Sequence, residues 1–489
     1  MFEKPTSGRS RTARSGNLVK TSRLSRNFLF LAGSNFSVQF LRFLSIAVVA
    51  RRIGSEFFGA YNYLLLLVTY GAVVVEFGLR NVAIREFAQG RGSRELVLKI
   101  VQIRSVLAGL AAILVVGLTH RAFPDGQFFL PSLIFGVSLI TNAFLVDFLT
   151  VVEEKFFAQA AATVGQAAFI FLGVLGFVHE PSDFVWLAFL FLGGQLLSVA
   201  VYFFTSRVWE ISKVSNSAVK LRATAIHGLP FLVALLFFTI QASADLLLLG
   251  QFRQSEILGD YSAALKIISI PQGLIAAFVV AMQPRIARET VDFGSAKLEA
   301  LFFQTLRVLW IVLAPTVIGC WLFGDTLVAW VFGSKFPIAS HFLKPLSLSF
   351  LFSCLSLAPI QALTTSSKTK LLLKLVLGNA VFTLFCISLA LFWGRTDLVP
   401  WAMVGAQVVL TLSSWSCFPK KTYLVLEDAR NLAFPTILMA APLLLGPSYL
   451  PAPLVFALSA GGYLAGLIVV RIWRRPWVAE LFGDLRKAT

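Results

Sequence analysis

The stretch "SEFFGAY", Ser55 to Tyr61, is written again 200 residues later as "SEILGDY", Ser255 to Tyr261, with Ser, Glu, Gly and Tyr at matching positions. Each copy follows one long apolar run and leads into the next. The letters suit an outer hairpin between two spanning helices. Ser and then Glu fit a helix N-terminus, where the carboxylate faces the positive end of the dipole. Gly59 and Gly259 permit close helix packing, and Tyr61 and Tyr261 suit a membrane interface. Both copies link the first and second spans of a six-span unit, so the chain reads as two such units in parallel orientation. That predicts a pseudo-two-fold axis along the membrane normal, a site between two lobes, and transport by rocking.

The composition agrees. Of 489 residues 57% are hydrophobic and 13% charged, with 47 phenylalanines, and the mean hydropathy of +0.81 is far above that of a soluble domain. Runs of about 20 apolar residues cross a bilayer core as helices, whereas a β-barrel would need short alternating strands. The expected fold is an all-α polytopic membrane protein of about fourteen transmembrane helices, two pseudo-symmetric six-helix lobes plus two C-terminal helices. The spans fall near 28–50, 60–79, 102–119, 128–149, 156–178, 183–205, 225–250, 259–282, 303–323, 341–363, 371–393, 397–418, 432–447 and 453–472. The thirteenth, "LAFPTILMAAPLLLGP", is short and holds three prolines. The N-lobe is then 28–205, the C-lobe 225–420, and the polar, basic stretch 206–224 a cytoplasmic connector. Residues 421–489 hold the last two helices and a basic tail.

Charge sets the expected orientation. With the N-terminus inside, 33 of the 42 Lys and Arg fall on cytoplasmic segments. Eight fall at the outer side (Arg51, Arg52, Arg121, Arg253, Lys266, Lys335, Lys344, Arg395), and Arg42 lies within a span. This predicts an inner-membrane protein with both termini cytoplasmic. It also accounts for the net charge of +18 without nucleic acid as a partner. Residues 1–27, with seven Lys and Arg and no apolar core, read as a disordered, uncleaved cytoplasmic tail. Cys320, Cys354, Cys386 and Cys417 sit in separate apolar runs, and the four histidines share no ligand spacing, so neither disulfide nor metal site is expected. No P-loop is present.

Several stretches together resemble a known family. "ARRIGSEFFGAY", "EFGLRNVAIRE", "ADLLLLGQFRQSEILGDYSAALKI" and "VFGSKFPIASHFLKPLSLSF" occur in the order found in the polysaccharide-biosynthesis branch of the multidrug/oligosaccharidyl-lipid/polysaccharide (MOP) exporter superfamily. The resemblance covers most of residues 28–418 and implies a Wzx-type flippase with a MATE-like fold. Such a protein moves a polyprenyl-diphosphate-linked oligosaccharide from the inner to the outer leaflet. A complex with a polysaccharide polymerase is a further expected partner, beside the lipid bilayer. One departure is Ala-Asp-Leu at 244–246, where the family often has Asp followed by a basic residue, and this leaves subfamily and substrate open.

A flippase must carry a diphosphate through a low-dielectric interior, so it needs cationic and hydrogen-bonding groups facing a cavity. Arg42 lies roughly 12 Å from the outer end of the first span, counting about 1.5 Å per residue. Asn35 and Gln39 share its helix face, and all three are candidates for diphosphate or glycan. Lys266, at similar depth in the eighth span, is expected to help Arg42. Arg80 and Arg85, after the second span, are candidates for the cytoplasmic mouth. Asp245 is expected to serve as a coupling-ion or proton site, or to pair with Arg42 in an outer gate. A local pair with Lys266 or Arg253 is the plainer alternative. Asn379 and Thr383, one turn apart in the eleventh span, could bind sugar or a coupling cation, or simply bridge helices. No cofactor is expected beyond a coupling Na+ or H+.

The rivals are a lipid II flippase, a cation-coupled multidrug antiporter, and an O-antigen polymerase or ligase. A cationic drug wants buried acids, yet the first span offers Arg42. Polymerase or ligase chemistry needs a sizeable outer loop, and the longest, about 324–340, is short. Alternating access without covalent chemistry fits best.

Overall fold

A computed structural model describes residues 10–417 except 91, 154, 207–220, 253–254, 290–295 and 366–368, and beyond them 438, 458–459 and 461–466. Among the described residues no strand occurs. The first half holds α1 (Ser10–Glu76), α2 (Leu79–Ala88), α3 (Arg94–Ala122), α4 (Phe129–Ala143), α5 (Asp147–Val152), α6 (Phe156–Phe177) and α7 (Phe184–Ser206). The second holds α8 (Leu221–Phe252), α9 (Ser255–Glu289), α10 (Ala296–Phe332), α11 (Ala339–Leu355), α12 (Leu357–Thr365), α13 (Thr369–Phe392) and α14 (Val399–Trp415). Among the described residues eight helices are long and apolar enough to cross a membrane, or nine with the bent pair α11–α12 counted as one. This is a multi-pass membrane protein.

The first hairpin is tighter than expected. α1 is two arms broken at Gly54, whose φ of 81° and ψ of 177° suit glycine alone. The helix resumes at Ser55, so "SEFFG" is its first turn and not a loop, as it also is from Ser255 in α9. α1 also reaches back to Ser10, into the stretch read from sequence as a basic cytoplasmic tail. Once the first span is nucleated, each added residue only propagates the helix. Most of the connector and nearly all of spans thirteen and fourteen lie outside the described residues.

The two halves pair their helices alike. α3 packs on α4, α4 on α7 and α6 on α7; correspondingly α10 packs on α11, α11 on α14 and α13 on α14. Each fourth span is broken, between α4 and α5 at residues 144–146 and between α11 and α12 by 41° at Ser356. A break frees a carbonyl that must find a donor in a dry interior. Arg104 Nη1 donates to Leu145 O at 2.8 Å, and Trp415 Nε1 to Leu355 O at 2.9 Å. The largest apolar cluster runs through both halves, joining Phe58, Tyr63 and Leu139 to Tyr261, Phe332 and Phe342.

Candidate functional site between the lobes

α1 and α9, which carry the two copies of the repeat, form the most extensively packed pair. At the hairpin end the copies touch. A Cβ on Gly259 would come within 1.8 Å of the Ser55 carbonyl oxygen, so the close packing read from this glycine is against the other copy. The Phe58 ring lies 6.0 Å from Phe332 and 5.5 Å from Phe336, both in the second half. Gly250 lies flat against the Tyr63 ring. These contacts close that end.

Away from the hairpin the first arm of α1 presents a polar face. Asn35, Gln39 and Arg42 are exposed, while Val38, Ser45 and Val49 beside them are buried. Arg42 interacts electrostatically with Tyr61 on the second arm and with Lys266 on α9. Arg42 and Lys266 are thus like charges from opposite lobes within electrostatic reach of each other, at the common depth their distances from the two turns implied.

Asp245 is 1% exposed in α8, two residues after a non-helical Ser243. Tyr261 Oη donates to its Oδ2 at 2.5 Å and the Leu246 N–H to its Oδ1 at 2.8 Å. The closing contact expected between Arg42 and Asp245 is therefore not made, although this end is closed, and neither is a local pair with Lys266. Arg253 lies outside the described residues. The reason is depth: Asp245 stands eight residues before position 253 and Tyr261 eight after, so the phenol meets the carboxylate across the hairpin. Nearby, Ser243 Oγ donates to Tyr70 Oη at 3.2 Å, which links α8 to the second arm of α1.

In the second lobe Asn379 and Thr383 are both buried in α13. Thr383 Oγ1 donates to Asn379 O at 2.7 Å, and neither side-chain amide atom of Asn379 has a hydrogen-bond partner among the described residues. Near the end of α14, the single Thr411 hydroxyl proton is in reach of Gln407 O at 2.7 Å, within the helix, and of Phe352 O at 2.8 Å on α11, an interhelical contact.

The two mouth candidates differ. Arg80 Nε lies 2.8 Å from Asp147 Oδ2, whereas exposed Arg85 makes a long 3.4 Å pair with its neighbour Glu86. Burial alone would lower the Arg80 guanidinium, but Asp147 outweighs it and the net shift is upward, so the cation persists. Glu76, Arg104 and Tyr202 complete this polar cluster. Arg104, counted from sequence among the 33 cytoplasmic cations, is 3% exposed and stacks 6.0 Å over Phe148. Asp147→Asn is expected to cost about 1 kcal/mol, since the pair is partly exposed, and to lower the unfolding temperature in detergent. An unchanged melting curve would count against a structural role for the pair.

Two pseudo-symmetric helical lobes around a cationic face, shut at one end, define a polytopic transporter fold. The chain belongs to the polysaccharide biosynthesis protein family, whose model matches residues 24–289, more than half its length. It is 24% identical over 423 residues to a protein of Escherichia coli strain K12 named as an O-antigen transporter, covering 84% of this chain and 99% of that one. It is 21% identical over 327 residues to a Haloferax volcanii protein named as the low-salt glycan biosynthesis flippase Agl15, covering 65% and 67%. In fold it resembles the lipid II flippase MurJ in an inward closed conformation, with a TM-score of 0.71 at 14% identity over 91% of this chain and 100% of that one.

Proposed function

We propose that the protein flips a polyprenyl-diphosphate-linked oligosaccharide, the repeat unit of a polysaccharide, O-antigen or capsule. The glycan crosses from the inner to the outer leaflet of the cytoplasmic membrane by alternating access, without covalent chemistry. The observation that carries this reading is the Arg42–Lys266 pair. Two cations from opposite lobes lie within electrostatic reach of each other, and Asp245, the acid expected to pair with Arg42, is instead hydrogen-bonded to Tyr261. A diphosphate bound between them relieves that repulsion and draws the lobes together, while the polyprenyl tail stays in lipid. Asn35 and Gln39, exposed below Arg42, supply donors and acceptors for the first sugars. Arg85, and Arg80 in concert with Asp147, form the mouth where the diphosphate arrives.

The family and both named relatives support a transporter over an enzyme. The same lack of a free acid beside Arg42 disfavours a cationic drug. In this reading the hairpin end faces outward, both termini are cytoplasmic, and a Na+ or H+ gradient supplies energy through Asp245, Asn379 and Thr383. The decisive assay is transfer across reconstituted vesicles of a labelled polyprenyl-diphosphate oligosaccharide, with the uncharged polyprenol glycoside as control. Transfer of the diphosphate species alone is expected; equal rates for both would remove the anion from the mechanism. Lys266→Ala is expected to slow the diphosphate species about tenfold and to leave any background leak unchanged.

A further inference from the structure

Each hairpin meets the opposite lobe through the same contact. Arg51, at the end of the first arm of α1, donates from Nε to Val331 O at 2.9 Å and from Nη2 to Trp330 O. Those carbonyls lie in the last turn of α10, in the other half. Gln251 stands 200 residues further on, at the end of α8. Its Nε2 donates to Leu118 O at 3.3 Å and to the Tyr63 hydroxyl. Leu118 lies near the end of α3, back in the first half. α3 and α10 hold corresponding places in their lobes, since each packs on the long arm of a broken fourth span. The two contacts are therefore one contact repeated by the pseudo-two-fold axis. A side chain just before the hairpin reaches the carbonyl end of the third helix across the lobe boundary. Trp330 and Val331 are among the last four carbonyls of α10, which lack a helical partner, while Leu118 lies one turn before the end of α3; both contacts sit at the negative end of a helix dipole.

We propose that Arg51 and Gln251 are a repeat-related latch that holds the lobes together at the hairpin end, and that releasing both opens this end for the cargo to leave. The idea extends the transport reading above, but it concerns the protein alone and is tested without substrate. The neighbouring residue provides the control. Arg52 Nη1 donates to Val174 O at 2.9 Å, to Leu175 O at 3.1 Å and to Val178 O, carbonyls at the end of α6 within its own lobe. Arg52→Ala thus removes helix-end hydrogen bonds of the same chemistry without touching a bond between lobes. The inter-lobe bond from Lys335 Nζ to Arg52 O, at 3.2 Å, uses the backbone and survives every variant named here.

The full chain, with its four cysteines replaced by alanine and a reporter Ser269→Cys on the exposed face of α9, is labelled in vesicles with an impermeant maleimide. The reagent is supplied from each compartment in turn, so the hairpin side identifies itself as the one that responds. Arg51→Ala and Gln251→Ala are each expected to raise the labelling rate from one compartment roughly fivefold, and the double variant by about the product. Arg52→Ala is expected to leave it unchanged. The latch is overturned if the double variant labels like the parent, if Arg52→Ala raises the rate as much as Arg51→Ala, or if both compartments respond equally, which is general loosening. Failure here leaves the vesicle transfer assay untouched, and failure there leaves this result standing.

Discussion

Arg42→Ala is expected to abolish surface glycan in a host whose own flippase is deleted, with the variant still present in the membrane. An arginine near the middle of a span costs about 2.5–3.5 kcal/mol on insertion scales. The alanine variant therefore inserts at least as well as the parent, and a loss of activity cannot be a loss of protein. Charge-assisted bonds to a phosphate oxygen contribute about 2–3 kcal/mol, so removing the guanidinium should lower transport by roughly 30- to 100-fold. Arg42→Lys keeps the charge but not the fork, and should recover only part. Glycan is read by immunoblot of whole cells and protein by immunoblot of membranes. Full glycan with Arg42→Ala would remove this residue from the site.

Gly259→Ala should be the most damaging single methyl among the described glycines. The added carbon meets a backbone carbonyl at 1.8 Å, not the end of a side chain, so no rotamer change relieves it. Separating α9 from α1 at this point is expected to cost about 3 kcal/mol in the closed arrangement, which disfavours that state about a hundredfold. The expected signs are a lower unfolding temperature in detergent and greater labelling of Ser269→Cys from the hairpin side. Gly273→Ala, later in the same helix, meets nothing within 4 Å and is the matched control. A Gly259→Ala protein with parental stability and labelling would show that the two hairpins do not touch in the membrane.

The repeat made the fold legible because it combined two signals that hydropathy alone separates: where a span ends, and which spans correspond. Its letters were read less well. Glycine at 259 was read correctly as a close-packing residue, but nothing in one copy says that its partner is Ser55 of the other. Tyr261 looked like an interface residue and is fully buried, with its hydroxyl on Asp245. The clue was there, since the two stand at equal distances from the turn, as Arg42 and Lys266 nearly do. Arg104 was hidden for a different reason. It serves a carbonyl freed by a helix break near residue 145, and no period in the sequence marks that break. The cross-lobe bonds of Arg51 and Gln251 needed the packing of α3 and α10, which depends on the whole assembly.

The cations near the hairpins also change how the charge count should be weighed. Arg51 and Arg52 spend their guanidinium groups on helix-end carbonyls, and Arg395 is matched with Asp397 at 2.9 Å. Arg395 is thus paired with an acid, and Arg51 and Arg52 face the negative ends of helix dipoles, so all three draw an anion less than bare cations would. For an anionic cargo on the proposed route, the potential has its well at Arg42 and Lys266, and these three guanidinium groups add little second well beyond it. On that route fixed charge would hold the diphosphate at mid-depth and offer it little to cling to at the rim.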